Sequence, residues 1–531
     1  MTTLTPAALS AALPLAGVAL GRPGDGMKYL QDQHVLVLGL GASGLAMARW
    51  CARCGAQVTV ADTRSAPPQL ATLQRELPTA DFVAGPFDAA LLQGTDVSAV
   101  FKSPGLSPAE VAPVFEAARA SGVRAAGELG LFSQALAQLK AGQDYAPKVL
   151  AITGTNGKTT VTSLTGQLVE RAGLSVAVAG NIGPTLLDTL SEKLEAQALP
   201  QVWVLELSSF QLDGEITFEP TAGAVLNISQ DHLDWHGSMA AYVQAKTAVF
   251  GQNGQLVLNR EDPAVMAMLP VPVRAKLQKP QVREHVTFGG DMPQRPGDFG
   301  IETVNGMTWL VRALEADETK RRRGEAADEL YFQRLLPADA LRIRGRHNAI
   351  NALSALALAT SAGCALGPML YGLREYRGEP HRVQPVGTVN EVEFFDDSKG
   401  TNVGATVAAL QGLGADRKVV VILGGEGKGQ DFSPLADPVH RFVRAVVLIG
   451  RDAALIRAVL EDTKVPVFDA ANMADGVAIA SAHAHAGDAV LMSPACASFD
   501  MFDNYEHRAC AFVQAVQLLA ADAGVDLEPG L

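Results

Sequence analysis

The stretch Val149-Leu-Ala-Ile-Thr-Gly-Thr-Asn-Gly-Lys-Thr-Thr160 limits what this chain can fold into more than any other. Val149 to Ile152 read as a buried strand, a glycine-rich turn follows, and Lys158 opens a helical pattern running to about Arg171. Strand, tight turn and helix start in that order set backbone N–H groups and the positive end of a helix dipole against an anion. Gly154, Thr155, Asn156 and Gly157 form the turn; Lys158 then faces the outer phosphates of a nucleotide, and the hydroxyl of Thr159 or Thr160 a magnesium ion. The usual G-x-x-x-x-G-K-[ST] spacing is not kept, because Ile152 stands where the first glycine belongs. The stretch reads as an ATP site.

A chain of 531 residues is too long for one core, and its length points to about three domains. Lys and Arg number 43 against 56 Asp and Glu, a net charge of −13, which argues against general nucleic-acid binding and leaves phosphate ligands to local sites. Ala11 to Leu20 is apolar but short, contains Pro14 and follows no basic residue, so it reads as part of an N-terminal extension rather than a signal peptide. No apolar run is long enough to span a membrane, and five cysteines in so long a chain fit a reducing, cytoplasmic compartment. Cys51 and Cys54 have no second pair beside them to complete a zinc site, so helix packing explains them better.

In the first third, the strand His34 to Leu38 runs into Gly39-Leu-Gly-Ala-Ser-Gly44, a helix follows, and a second strand ends at Asp62. This is the dinucleotide fingerprint, with its acid about 20 residues beyond the glycines. It requires only a βαβ turn able to face a diphosphate. Asp62-Thr-Arg64 offers an acceptor, a hydroxyl and a cation that could equally pair with uracil and its ribose. Val97 to Lys102 is a further strand, stopping at the loop Ser103-Pro-Gly-Leu-Ser-Pro108, and Gln143 to Pro147 is a linker.

In the middle, Gly180-Asn-Ile-Gly183 places Asn181 at a strand end, and Val202 to Glu206 is a buried strand with an acid at its exit, followed by Leu207-Ser-Ser-Phe-Gln211. An acid there faces the phosphate loop and can hold magnesium. Asp231-His232 lies in a loop beyond the next strand, and Lys246 falls on a helical pattern where a surface lysine would be unremarked. Residues 289 to 329 read as an irregular, charged loop. Regular patterning returns at Gly345-Arg-His-Asn-Ala-Ile-Asn351, where Asn348 and Asn351 share a helix face and their amides can pair with an adenine. The last third alternates strand and helix again. Its strand-end loops carry Lys399, Thr401, Lys428 and Ser498, which suit a small dicarboxylate, while Cys496 reads as packing.

Gly154 to Thr160, Glu206 to Gln211, Asp231-His232, Lys246 and His347-Asn348, in this order, resemble the Mur ligase family, the ATP-dependent amide ligases of peptidoglycan precursor synthesis. With Gly39 to Gly44, Asp397 to Asn402 and Ser493 to Asp500 the resemblance narrows to members that add D-glutamate to UDP-N-acetylmuramoyl-L-alanine. It runs from about residue 31 to the C-terminus, leaving the first 30 residues and the 289–329 loop without a role. The resemblance implies that Lys158 and Thr159 hold ATP phosphates and magnesium, that Glu206 is a metal ligand, and that His232 and Lys246 flank a second magnesium, Lys246 being N-carboxylated. It implies an adenosine pocket of Asn348, Asn351, Arg382 and Asp397. D-Glutamate falls to Lys399, Thr401, Lys428, Ser498 and Phe499, and the uridine diphosphate to Gly41, Ser43, Asp62, Thr63, Arg64 and Ser103, with Asn181 and Gln211 nearer the sugar and peptide. The expected fold is α/β in three domains: an extension 1–30, a Rossmann-like uridine-nucleotide domain 31–145, a central P-loop ATPase-like parallel sheet 146–378 and a Rossmann-like amino-acid domain 379–531. A cytoplasmic monomer is expected. Two other readings stay open here: a folylpolyglutamate synthase-like ligase, which lacks a preceding uridine-nucleotide domain, and a nicotinamide-dependent oxidoreductase, which would leave Lys158, Glu206 and Lys246 unused.

Overall fold

Runs of apolar residues buried on both faces pair as parallel strands and need helices on either side. A computed structural model describes residues 28–214, 217–272, 282–315, 330–343, 345–415, 417–525 and 527, and these follow that rule in three sheets. The first holds β1 (His34–Leu38), β2 (Gln57–Asp62), β3 (Asp81–Ala84), β4 (Val97–Lys102) and β5 (Arg124–Gly127), all parallel, in the order β3-β2-β1-β4-β5. Val35 and Val37 pack with Trp50 and Phe132 on one face; Leu36 and Leu38 pack with Val100 and Val114 on the other. Strand order reverses between β1 and β4, and at such a switch point the loops after the strands open a crevice for a ligand. Here the glycine turn and Ser103 meet, the Ser103 hydroxyl donating to the Gly39 carbonyl at 2.9 Å.

The second sheet contains β6 (Lys148–Thr153), β7 (Val176–Gly180), β8 (Val202–Glu206), β9 (Ala222–Val225), β10 (Gln255–Asn259), β11 (His285–Phe288), β12 (Phe299–Val304), β13 (Met307–Glu315) and β14 (Leu330–Pro337). Their order is β14-β13-β12-β11-β10-β9-β6-β8-β7. β6 lies between β8 and β9, so the phosphate loop is flanked by the exits of both. The expected loop 289–329 is corrected: Phe299–Val304 and Met307–Glu315 form an antiparallel hairpin. Its turn is Asn305-Gly306, both with positive φ, the strongest short hairpin signal a sequence carries, and β13 buries Leu310, Val311 and Ala313, a bulge between Leu310 and Val311 interrupting the alternation. Residues 316–329 lie outside the described ones, as do 1–27 of the expected extension. Its last residues belong to the body of the protein: Leu30 is buried and the Tyr29 hydroxyl accepts from the Trp50 indole at 2.7 Å.

The third sheet, β15 (Gln384–Val389), β16 (Val392–Asp396), β17 (Val419–Gly424), β18 (Val443–Ile449), β19 (Val467–Asp469) and β20 (Ala489–Met492), has the order β15-β16-β20-β17-β18-β19. It is not wholly parallel: β15 pairs with β16 in an antiparallel hairpin turned at Asn390 and Glu391. The first and second sheets share one continuous apolar cluster, in which Val37 and Phe132 join Leu186 and Trp203, rimmed by Arg49–Asp188 and Arg53–Glu195 ion pairs. The third sheet has apolar clusters of its own and meets the second through polar contacts, among them Arg382 to Thr159 and Asn402 to Asn156.

Gly44 fixes how closely the first helix approaches the glycine turn, because a Cβ there would stand 1.9 Å from the Gly39 carbonyl oxygen. Gly44→Ala must move backbone rather than a side-chain tip, so its first unfolding transition in urea should fall by the equivalent of about 1–3 kcal/mol. An unshifted transition would contradict this packing.

Candidate functional site

The loop after β6 is held before any ligand arrives. Asn227, just beyond β9, clamps it through its side chain, accepting from the Asn156 N–H at 2.8 Å and donating to the Asn156 carbonyl at 3.0 Å. The Thr155 hydroxyl lies 3.0 Å from the Tyr242 hydroxyl. Gly157, with φ +82°, caps the helix Lys158–Arg171, whose first residues include the buried Thr159 and Thr160. Lys158 does not reach out: its Nζ donates to the carbonyls of Gly154 and Thr155, both at 2.9 Å.

Lys246 is the largest departure from what its sequence context offers. It is 1 % exposed, and its Nζ donates to the same Gly154 carbonyl at 2.9 Å and to the Thr153 hydroxyl at 3.3 Å. Two lysines therefore converge on one carbonyl oxygen. Burial, and then the positive charge of Lys158, hold the Lys246 ammonium well below the usual lysine range, and burial also lowers Lys158. Glu206 lies buried at the exit of β8; the Asn181 amide donates to its Oε1 at 2.7 Å, while its Oε2 is buried without a hydrogen-bond partner.

That orphaned carboxylate oxygen beside a threonine hydroxyl and a phosphate-type loop fits a hard divalent ion that keeps water and phosphate oxygens as its other ligands, as magnesium does. Among the described residues no group of three or more His, Cys, Asp and Glu could hold a metal without such help. His232, in left-handed backbone conformation after Asp231, lines a cavity of about 30 Å³ with Thr401 and Lys428. Burial lowers its pKa, opposed by Asp231 and reinforced by Lys428, Lys158 and Lys246, which favours the neutral imidazole, the form that can donate an electron pair.

Between the second and third sheets a cavity of about 300 Å³ is lined by Asn156, Gly157, Thr160, Asn348, Asn351, Arg382 and Asp397, which brings the expected adenosine residues together with the phosphate loop. The Asn351 amide donates to Asn348 Oδ1 at 3.2 Å, and Arg382 donates to the Thr159 hydroxyl at 2.7 Å. Asp397 is buried; the Ser493 hydroxyl donates to it at 2.6 Å, yet burial still pushes its carboxyl up to about 7. Of the expected amino-acid residues, Thr401 and Lys428 meet His232. Lys399 donates to the Tyr505 hydroxyl at 2.9 Å, Ser498 is buried on the loop after β20, and Phe499 next to it is 66 % exposed.

In the first sheet Asp62 is less available than its position in the motif implies. Its Oδ2 accepts from the Leu40 N–H at 2.7 Å and both oxygens accept from Arg64, which holds its carboxyl down at about 2. A carboxylate has about four lone-pair sites, so a ligand N–H or hydroxyl can still share it. Thr63 and Arg64 are exposed, Gly41 caps the first helix, Ser43 lies in that helix's first turn, and Glu128, which accepts from the Leu187 N–H at 3.1 Å, is a buried carboxyl pushed up to about 7 by desolvation. Gln211 accepts from the Ser208 N–H at 3.0 Å. Cys51 and Cys54 are buried and hydrophobically packed, and burial also pushes the Cys496 thiol up to about 12, which suits packing rather than attack.

Asn227, Tyr242, Asn402 and Ser493 were not singled out from the sequence. Asn402 ends the Asp397-Ser-Lys-Gly-Thr-Asn402 motif and donates to the Asn156 side chain at 3.0 Å, so the motif itself held the signal. Asn227 and Tyr242 sit in ordinary strand-end and helix contexts that mark no role.

Three domain families match the chain in order: the MurD-like N-terminal domain of Mur ligases over residues 33–127, the Mur ligase middle domain over 152–359 and the Mur ligase glutamate ligase domain over 381–496. The chain is 76% identical to a UDP-N-acetylmuramoylalanine–D-glutamate ligase of Albidiferax ferrireducens, covering 94% of this chain and 99% of that one. It is 59% identical to the ligase of the same name from a Polaromonas species, covering 94% and 100%. Among solved structures it resembles the MurF ligase of Thermotoga maritima in complex with ADP, with TM-score 0.54 and 15% identity over 93% of this chain and 97% of that one. The UDP-N-acetylmuramate-alanine ligase MurC of Thermotoga maritima gives TM-score 0.52 and 19% identity, covering 91% and 99%. At those identities the likeness is one of fold.

Asp397 gives the site a pH signature. Its folded pKa of about 7 lies above the unfolded value of 3.8, so the folded chain keeps a proton that the unfolded chain releases between about pH 4 and 7. Its contribution to stability is present below that window and lost as pH rises through it. Subtracting the stability curve of Asp397→Asn from that of the wild type should give a difference that falls from pH 4 to 7; a flat difference would refute the burial-driven shift.

Proposed function

The chain belongs to the Mur ligase family, and on that premise we propose that it joins D-glutamate to UDP-N-acetylmuramoyl-L-alanine at the expense of ATP, in the synthesis of peptidoglycan precursors. The observation that carries this reading is the convergence of Lys158 and Lys246 on the Gly154 carbonyl, with the free oxygen of Glu206 at the neighbouring strand exit. A nicotinamide enzyme has no use for that arrangement, whereas phosphoryl transfer is almost wholly a matter of positioning and charge compensation.

The alanyl carboxylate attacks the γ-phosphate of ATP, giving an acyl phosphate and ADP. The amine of D-glutamate then attacks the acyl carbon, forming the C–N bond and a tetrahedral intermediate, which loses a proton from nitrogen and expels phosphate to leave the amide. Lys158 exchanges its two loop carbonyls for phosphate oxygens, and the N-terminus of the helix Lys158–Arg171 offers its first backbone N–H groups to the same charge. Glu206, oriented by Asn181, and the Thr159 hydroxyl would hold magnesium, which supplies neutralisation of the phosphate charge when bound. His232 and Lys246, the latter as its carbamate, would hold a second ion. Desolvation favours the neutral amine of Lys246, the form that reacts with carbon dioxide, and N-carboxylation turns a repelled cation into an anionic oxygen ligand.

Asn348, Asn351, Arg382 and Asp397 would take the adenosine, and Lys399, Thr401, Lys428, Ser498 and Phe499 the amino acid. The uridine portion would fall to Gly41, Ser43, Asp62, Thr63, Arg64 and Ser103, with Asn181 and Gln211 toward the sugar and peptide. All three substrate sites come from one chain, which supports a monomer. The divisions 31–145, 146–378 and 379–531 follow the three sheets, and the polar character of the last boundary supports closure of the third domain on substrate. No helix among the described residues is long and apolar enough to cross a membrane, and the nucleotide substrates support a cytoplasmic setting.

Phosphate release from ATP with UDP-N-acetylmuramoyl-L-alanine should depend on D-glutamate and on no L-amino acid in a panel; release with L-glutamate alone would overturn the assignment. Lys246→Ala should be nearly inactive, and acetate or formate at matched ionic strength should restore part of its activity by filling the vacated anionic position. Full activity without added carboxylate would refute the carbamate role.

A further inference from the structure

Lys102 ends β4, one residue before Ser103, and does not run out to solvent as strand-end lysines usually do. It is 8 % exposed, its Nζ donates to the Leu106 carbonyl of its own loop at 3.1 Å, and it stands 4.7 Å from the ring centre of Trp235. Trp235 belongs to the second sheet's loops, in the short turn Leu233–His236 directly after His232. Phe210 packs on Trp235 at 4.6 Å and on His232 at 4.7 Å. His236 closes the cluster, 4.5 Å from Trp235 and 5.3 Å from Tyr242, whose helix carries Lys246.

A cation from the first sheet thus rests on an aromatic stack that ends at His232. Burial pushes His236 down to about 4, so it stacks as a neutral ring. Beside the contact lies a cavity of about 50 Å³ lined by Lys102, Phe210, Gln211 and Asp213, which leaves these loops room to shift.

We propose that Lys102 is a positioning residue that couples the uridine-nucleotide loop to the His232 loop, so that filling the first site tightens nucleotide binding at the second. The inference rests on the assignment of the first site to the uridine substrate. Binding there orders the loop from Ser103 to Leu106; that fixes the carbonyl holding Lys102, and the ammonium then holds Trp235, Phe210 and His232 in the arrangement seen. Coupling of this kind is reciprocal and commonly amounts to about 5–150-fold in affinity.

The test measures the affinity of the β,γ-imido analogue of ATP with magnesium, with and without UDP-N-acetylmuramoyl-L-alanine. Wild type should bind the analogue at least about fivefold more tightly when the uridine substrate is present. Lys102→Met should bind each ligand alone as wild type does but lose the enhancement. Lys102→Arg should restore it, because a guanidinium also sits over an indole face. Trp235→Leu should lose it to the same extent, with no further loss in the double variant. Should Lys102→Met fail to fold, Trp235→Phe, which keeps a ring and weakens the cation contact, carries the same test. Unchanged enhancement in Lys102→Met, or additive losses in the double variant, overturns the inference. Failure of wild type to bind the uridine substrate at all overturns the first-site assignment and the inference with it.

Discussion

The Gly154 carbonyl accepts from two lysines, and the rest of the site is arranged around that crowding. Two ammonium groups on one oxygen repel each other, and the nearest buried carboxylate, Glu206, is already turned to Asn181 through one oxygen. The folded chain tolerates this because desolvation lowers both lysines and the backbone supplies acceptors. What relieves it fully is negative charge brought from outside. Phosphate oxygens at Lys158 and the carboxyl group proposed for Lys246 would be two forms of the same remedy. An active site that is electrostatically unfavourable when empty binds its anions strongly for the same reason.

The two domain boundaries differ in kind. The first and second sheets share an apolar cluster through Leu186 and Trp203, which ties them together by buried apolar contact. The third sheet meets the second through polar contacts at the phosphate loop, Arg382 to Thr159 and Asn402 to Asn156. Water can replace contacts of that type, whereas it cannot cheaply replace buried valines and tryptophans. The cavity lined by Asn348, Asn351, Arg382 and Asp397 lies on that polar boundary, so the ATP proposed for it would touch both sides and favour their approach.

Features that the sequence made legible are those built from consecutive residues. The phosphate loop, the glycine turn with Asp62 and the motif from Asp397 to Asn402 are each one strand, one turn and one helix start, and each lies at its expected strand end. The hairpin β12–β13 was obscured by the charged run that follows it, although Asn305-Gly306 carried its turn signal. The antiparallel β15 went unseen because Pro385 and Gly387 break its pattern and a bulge lies between them. Within the site, identity of residues was readable but their partners were not. Asp62 is taken up by Leu40 and Arg64, Lys102 lies over Trp235, and Asn227 clamps Asn156. The last two link residues more than 70 positions apart, and no local pattern records them.

The central proposal is that burial favours the neutral amine of Lys246 over its ammonium and that the site is completed when that amine gains a carboxyl group. The direct measurement is carbon NMR of the chain equilibrated with ¹³C-labelled bicarbonate. A carbamate carbonyl resonance should be present that depends on carbon dioxide and vanishes in Lys246→Met. Absence of that resonance, with Lys246 titrating near the ordinary lysine value of about 10.4, would contradict the account.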